Sequence, residues 1–100
     1  MAAFRLTKKA KADLRVIGQY TQKTWGREQR NRYLTMLDHS FQELAETPQK
    51  GRSCDEIKPG YRKYQAGRHL IFYRQEEGGI AIIRILHERM DIEQLSTDEE

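Results

Sequence analysis

A change of hydrophobic period partway along the chain limits the fold more than any other feature. From Ala10 to about Ala45 apolar residues recur three and four positions apart. From Tyr61 to Leu86 short aromatic and branched runs alternate with glycine-bearing turns. The first spacing is that of an α-helix and the second that of a β-strand. Helices first and strands after predict an α+β domain, with the helices laid over one face of a sheet.

In the helical half, Phe4-Arg5-Leu6 reads as a short strand, and Thr7 is placed to cap the helix that follows. Ala10, Leu14, Ile17 and Thr21 share one face of that helix, with Tyr20 three residues after Ile17 and so beside them. Gly26 breaks the helix after Trp25, which is expected in the core at the junction. A second helix is predicted over about 27–45, with Leu34, Leu37, Phe41 and Leu44 as its stripe and Tyr33 and Ala45 at the margin. Pro48 and Gly51 bracket its end. So short a link folds the two helices back as an antiparallel hairpin.

The second half reads as three strands, 61–65, 69–74 and 80–86, joined by turns at Ala66-Gly67 and at Glu77-Gly78-Gly79. The last strand is apolar on both faces except at Arg84, the mark of a central strand covered by other elements. Arg84 is therefore expected to matter for folding. Asp91 is placed to cap one helical turn over 91–95, and the acidic end from Ser96 to Glu100 is expected to fray. The sum is a β-α-α-β-β-β domain: a helical hairpin packed on a small, mainly antiparallel sheet, with a short C-terminal helical turn.

One hundred residues make a single domain, 1–100. A chain of this size buries about 65% of the surface it exposes when unfolded, so the core is thin. With 37% hydrophobic and 33% charged residues it still lies above the range of disordered chains. Cys54 is the one cysteine, which excludes an intramolecular disulfide and a cysteine metal site. No apolar run has the length of a signal peptide or a membrane span. The expectation is a soluble protein of a reducing compartment, the cytoplasm.

Lysine plus arginine outnumber aspartate plus glutamate only 18 to 15, so placement of charge matters more than its sum. Between Ile57 and Gln75 stand five basic side chains (Lys58, Arg62, Lys63, Arg68, Arg74) and three tyrosines, with no carboxylate. Arg84 and Arg89 extend the set. Neighbouring strands bring such residues onto one surface suited to an acidic partner, protein or nucleic acid. The plainer account is a solvated sheet face whose cations keep an edge soluble. His87-Glu88-Arg89 could be an acid/base cluster, but extended chain sends His87 and Glu88 to opposite faces. His39 and His69 stand alone without metal-ligand spacing. Cys54 has Asp55 and Glu56 beside it and no adjoining cation to activate the thiol. Glycine-rich phosphate loops, zinc motifs and nucleophile elbows are absent, so no metal or cofactor is expected.

Three segments in order carry a family resemblance: Asp55-Glu56-Ile57-Lys58-Pro59-Gly60-Tyr61-Arg62-Lys63, Gly67-Arg68-His69-Leu70-Ile71-Phe72-Tyr73-Arg74, and Ile83-Arg84-Ile85-Leu86-His87-Glu88-Arg89-Met90-Asp91. Together with Leu6-Thr7-Lys8-Lys9-Ala10-Lys11-Ala12-Asp13-Leu14 and the Tyr20…Trp25-Gly26 pattern, they resemble the ParE-type toxins of the ParE/RelE superfamily, over nearly the whole chain. The resemblance implies the ParE/RelE fold and a ParD-like antitoxin whose flexible C-terminal segment wraps the hairpin and sheet. It also implies DNA gyrase as the target. It assigns no catalytic residue. Target or antitoxin contact is expected at Arg62, Lys63, Arg68, Arg74, His87 and Arg89, without membrane association or sequence-specific nucleic-acid binding.

A RelE-type ribosome-dependent mRNA endonuclease is the alternative on the same fold. Lys63 and Arg89 fall near basic positions of that pattern, but an apolar residue, approximately Leu95, stands where a C-terminal tyrosine is expected. Phosphate stabilisers without a proton-transfer group leave such catalysis weak.

Overall fold

Thr7 sets the first boundary. In the computed structural model, which describes residues 3–89, strand β1 (Ala3–Leu6) runs into Thr7 and helix α1 (Lys8–Trp25) leaves it. The buried Thr7 hydroxyl accepts from the Ala10 amide at 3.1 Å and donates to the Ile83 carbonyl at 2.9 Å. It therefore caps the helix and ties its start to the far end of the chain. Helix α2 (Arg27–Glu46) begins after a single linking residue. That residue, Gly26, has φ +97°, its N–H donating to the Gln22 carbonyl and its carbonyl accepting from Arg30. Only glycine adopts this conformation cheaply, which is why the break falls there.

After a 3-10 turn (Pro48–Lys50) come strands β2 (Arg52–Ser53), β3 (Tyr61–Ala66), β4 (His69–Glu76) and β5 (Gly79–His87). They form one five-stranded sheet in the order β1-β5-β4-β3-β2, in which only the β1–β5 pair is parallel. The expected architecture holds, with the two-residue β2 as an addition. The helical turn expected over 91–95, the end from 96 to 100 and Leu95 lie outside the described residues.

Both faces of β5 are covered, as its two-sided apolarity requires. On one face Ile80, Ile82 and Ile85 pack with Ile71 and Tyr73 against Ala10 and Ile17 of α1 and Leu37, Phe41 and Leu44 of α2. On the other, Ala81, Ile83 and Leu86 pack with Tyr61 and Phe72 against Cys54, with Ile57 beside them. The segment from Cys54 to Gly60 forms that second cover. The Cys54 carbonyl accepts from Ile57 and Lys58, and Asp55 Oδ1 accepts from the Gly60 amide at 2.8 Å. Each fully buried isoleucine contributes roughly 1.5–3 kcal/mol, so this small molecule draws on two thin cores rather than one.

The alternation along β5 breaks once. Phe72 pairs with Arg84 but Tyr73 with Ile82, so Ile83 is an extra residue and the strand is bulged. This explains why Ile80 and Ile82 share a face with Ile85. Arg84, released from the alternation, reaches α1 and binds Asp13 through two hydrogen bonds of 2.8 and 2.9 Å, both side chains being 14% exposed. Asp13 Oδ2 also accepts from the Ile85 amide at 2.9 Å. Strand β1 pairs with β5 only as far as Ile82, so Thr7 and Asp13 occupy the strand edge that β1 leaves.

Candidate functional site

Three flanks of α1 have different fates. Ile17 and Thr21 face the sheet, and Gly18 faces Leu34 of α2. The remaining flank carries Val16, Tyr20 and Trp25, which are 63%, 66% and 70% exposed. Two expectations are corrected here: Tyr20 does not share the packed face and Trp25 is not in the core. Three residues past Ile17 is a rotation about 60° short of a full turn, enough to carry Tyr20 off a narrow stripe. Trp25 lies four residues beyond Thr21, the last buried position, where the chain turns back.

Opposite this flank, across a groove of about 730 Å³, stand Arg68 and His69 at the start of β4 and His87 and Arg89 at the end of β5. Register brings them together, because His69 pairs with His87 across the β4–β5 hairpin. Tyr33 of α2 joins them. Its Oη accepts from the Arg68 amide at 3.0 Å, so its own hydrogen points to His69 Nδ1, 2.6 Å away. Hydrogen bonding thus assigns the ring proton of neutral His69 to Nε2. The His69 ring meets Tyr33 and His87 edge-on, with centroids 5.5 and 5.4 Å away. Burial, and then the proximity of His87, lower the His69 pKa to about 4, against weaker opposing effects of Asp13 and Glu88. Burial raises the Tyr33 pKa, so the phenol stays protonated. His87 Nδ1 accepts from the Arg89 amide at 3.1 Å, which leaves its proton on Nε2 as well.

Gly67 makes this corner possible. Its φ is +59°, and a Cβ there would lie 2.8 Å from the Tyr33 hydroxyl. A second, shallower groove of about 390 Å³ lies on the other side of α1, between the hairpin and β1. Phe4, Leu6, Leu14, Leu34 and Phe41 line it, with Lys11, Arg15 and Asp38 at its rim.

The basic residues singled out in the sequence do not form one surface. Arg68, His87 and Arg89 share the larger groove. Arg62 and Lys63 are neighbours on β3 and so point to opposite faces. Arg62 donates to the Gly51 carbonyl at 2.7 Å and is half-buried. Lys63 pairs with Phe72 on the face that holds Cys54. Arg74 lies 3.9 Å from Glu76, a carboxylate one residue beyond the run that lacked them, and Glu76 is also held by Arg5 at 2.7 and 3.0 Å. His69, read as isolated, is instead bonded on one side and stacked on two. Counting back from the Glu77-Gly78 turn would have placed it near His87. Nothing local links either to Tyr33 or Trp25. The thiol of Cys54 is buried and its pKa raised by that burial, in keeping with an inert cysteine. Among the described residues no three histidine, cysteine or acidic side chains cluster as a metal site, and no helix is long and apolar enough to cross a membrane.

Comparison with known proteins places the chain in a family and agrees with the fold. The family model for the ParE toxin of the type II toxin–antitoxin system parDE matches residues 4–92. Toxin ParE1 of Mycobacterium tuberculosis strain H37Rv is 45% identical over 91 residues, which are 90% of this chain and 93% of that one. Toxin ParE of Escherichia coli is 37% identical over 93 residues, 92% of this chain and 90% of its own length. A solved chain of the chromosomal ParDE system from P. aeruginosa superposes with a TM-score of 0.75 at 22% identity, covering 87% of this chain and 96% of that chain. At that identity the likeness is one of fold.

Proposed function

This chain belongs to the ParE toxin family of type II toxin–antitoxin systems, and from that premise we propose that it arrests growth by inhibiting DNA gyrase and that a ParD-like antitoxin neutralises it. Family membership supports the gyrase target. The observation that supports an antitoxin is the groove between the hairpin and β1: a half-buried apolar floor of Phe4, Leu6, Leu14 and Leu34 beside the cations Lys11 and Arg15. An acidic amphipathic segment folding onto it would bury apolar area and meet complementary charge. Inhibition by this protein is non-enzymatic. The two cations that an mRNA-cleaving reading would need around one phosphate, Lys63 and Arg89, lie on opposite faces of the sheet, since Lys63 pairs with Phe72 beneath the Cys54 cover whereas Arg89 lines the helix-side groove.

A supercoiling assay tests this reading. Purified gyrase should lose activity as the protein is added and recover it when the antitoxin follows. Full supercoiling at saturating protein, with codon-phased cleavage of ribosome-bound mRNA, would overturn it.

A further inference from the structure

The larger groove has two unlike walls, and each selects for a different property in a ligand. One wall is the exposed flank of α1, with the flat rings of Tyr20 and Trp25 beside Val16. The other consists of Arg68, His69, His87 and Arg89. The hydrogen bonds already described decide what that second wall offers. His69 Nδ1 is occupied by Tyr33 and His87 Nδ1 by the Arg89 amide, so each ring has Nε2–H left as a donor. Among the described residues neither the Arg68 nor the Arg89 guanidinium has a carboxylate within ion-pair distance. Guanidinium adds donors only.

Asp13, Thr21 and Tyr33, which also line the groove, have their polar atoms engaged within the protein. Asp13 is held by Arg84 and the Ile85 amide. The Thr21 hydroxyl donates to the Ile17 carbonyl at 2.7 Å, and Tyr33 Oη serves Arg68 and His69. What remains is a wall of donors, two of them cationic, facing a wall of aromatic rings. Such a wall binds anionic oxygen, and guanidinium suits phosphate above other anions. Exposed aromatic rings bind planar bases, whatever their sequence, because every base has a π-face.

We propose that this groove binds a nucleotide unit of single-stranded nucleic acid, its phosphate on Arg68, Arg89 and His87 and its base against Tyr20 and Trp25. The volume lies in the range of small-ligand sites. An acidic peptide helix would also satisfy the donors, but it needs aliphatic pockets at three- and four-residue spacing, and this flank offers two flat rings and one valine. The charged donors grip the phosphate and the rings the face of the base, so binding tolerates any sequence. The proposal goes beyond gyrase inhibition and antitoxin capture and depends on neither.

Trp25 is the one tryptophan in the chain, so its fluorescence reports on this groove alone. The full-length protein is titrated at low salt with a single-stranded tetranucleotide, adenosine monophosphate, inorganic phosphate and an acidic peptide. Saturable quenching by the tetranucleotide and by the mononucleotide is expected. With one phosphate neutralised, log affinity for the tetranucleotide should fall against log salt with a slope of about −0.7. Arg68→Ala with Arg89→Ala should raise the half-saturating concentration about tenfold or more and flatten that slope. Tyr20→Ala should weaken binding while leaving the slope unchanged. Lysine at both arginine positions should retain the slope, and thermal midpoints establish that each variant is folded. Absence of quenching, inorganic phosphate binding as well as the mononucleotide, or quenching by the peptide but not by nucleotides each overturns the proposal. Any of these leaves the supercoiling assay, and so the toxin assignment, standing.

Discussion

Acidification should destabilise this protein through His69 in particular. The Tyr33 hydroxyl donates to His69 Nδ1, so the native corner requires that nitrogen unprotonated. The groups around it are Tyr33 from α2, Asp13 from α1, His87 and Glu88 at the end of β5, and Arg68 in the preceding turn. Burial and His87 lower its pKa to about 4 from 6.5. A depressed histidine binds fewer protons in the folded than in the unfolded chain across the interval between these values. Stability is therefore full above pH 6.5 and falls as pH drops toward 4. At 1.36 kcal/mol per pKa unit the full interval is worth roughly 3 kcal/mol, and partial solvent access reduces this to about 2 kcal/mol. The assay is urea unfolding at pH 7.5 and 4.5 for the native protein and for His69→Phe. Carboxylates titrate in both proteins, so the difference between the two pH dependences isolates the imidazole. The native protein should lose about 2 kcal/mol more than the variant. Parallel losses, or a His69 NMR titration centred near 6.5, would refute the reasoning.

Two further outcomes follow from hydrogen bonds at half-buried and buried positions. Asp13→Ala removes the carboxylate shared by the Arg84 guanidinium and the Ile85 amide and should cost about 3 kcal/mol in urea unfolding. Adding Arg84→Met should restore part of that loss, and no recovery would mean that the ion pair is not its source. The Tyr73 hydroxyl, fully buried, accepts from the Gly51 amide at 2.9 Å and donates to the Pro48 carbonyl at 2.6 Å. Tyr73→Phe should therefore lower stability by about 1–3 kcal/mol, and a change below about 0.5 kcal/mol would show that water replaces both bonds.

The parts of this fold legible in the sequence are those set by neighbours in the chain. Thr7 capped a helix, Gly26 broke one, and the two-sided apolarity of β5 marked it as central. What escaped depends on distant partners. The bulge at Ile83 is invisible in a run of branched residues, because each still finds a core whichever face it takes. The cover from Cys54 to Gly60 has no periodicity to announce it. The carboxylate-free basic run suggested one charged surface, but alternation on β3 divided Arg62 from Lys63 and register gave Arg74 a carboxylate. Half of the larger groove was named in advance, at Arg68, His87 and Arg89. The other half, His69, Tyr33, Tyr20 and Trp25, needed the strand register and the packing of α1 on the sheet.

The parallel pairing of β1 with β5 also governs when the protein becomes whole during synthesis. Ala3 to Leu6 find their hydrogen-bonding neighbours at Gly79 to Ile82, so β1 waits for β5 to be synthesised. Contacts this remote along the chain close late, after the loop between them has lost its freedom. Until β5 emerges, α1 has no Ile82 or Ile85 to lie on, and Asp13 has neither Arg84 nor the Ile85 amide. The corner joining His69 to His87 is likewise absent. A ribosome that stops short of β5 therefore releases a chain without its central strand and without half of its larger groove. The larger groove is thus a property of the chain only once β5 has paired with its neighbours.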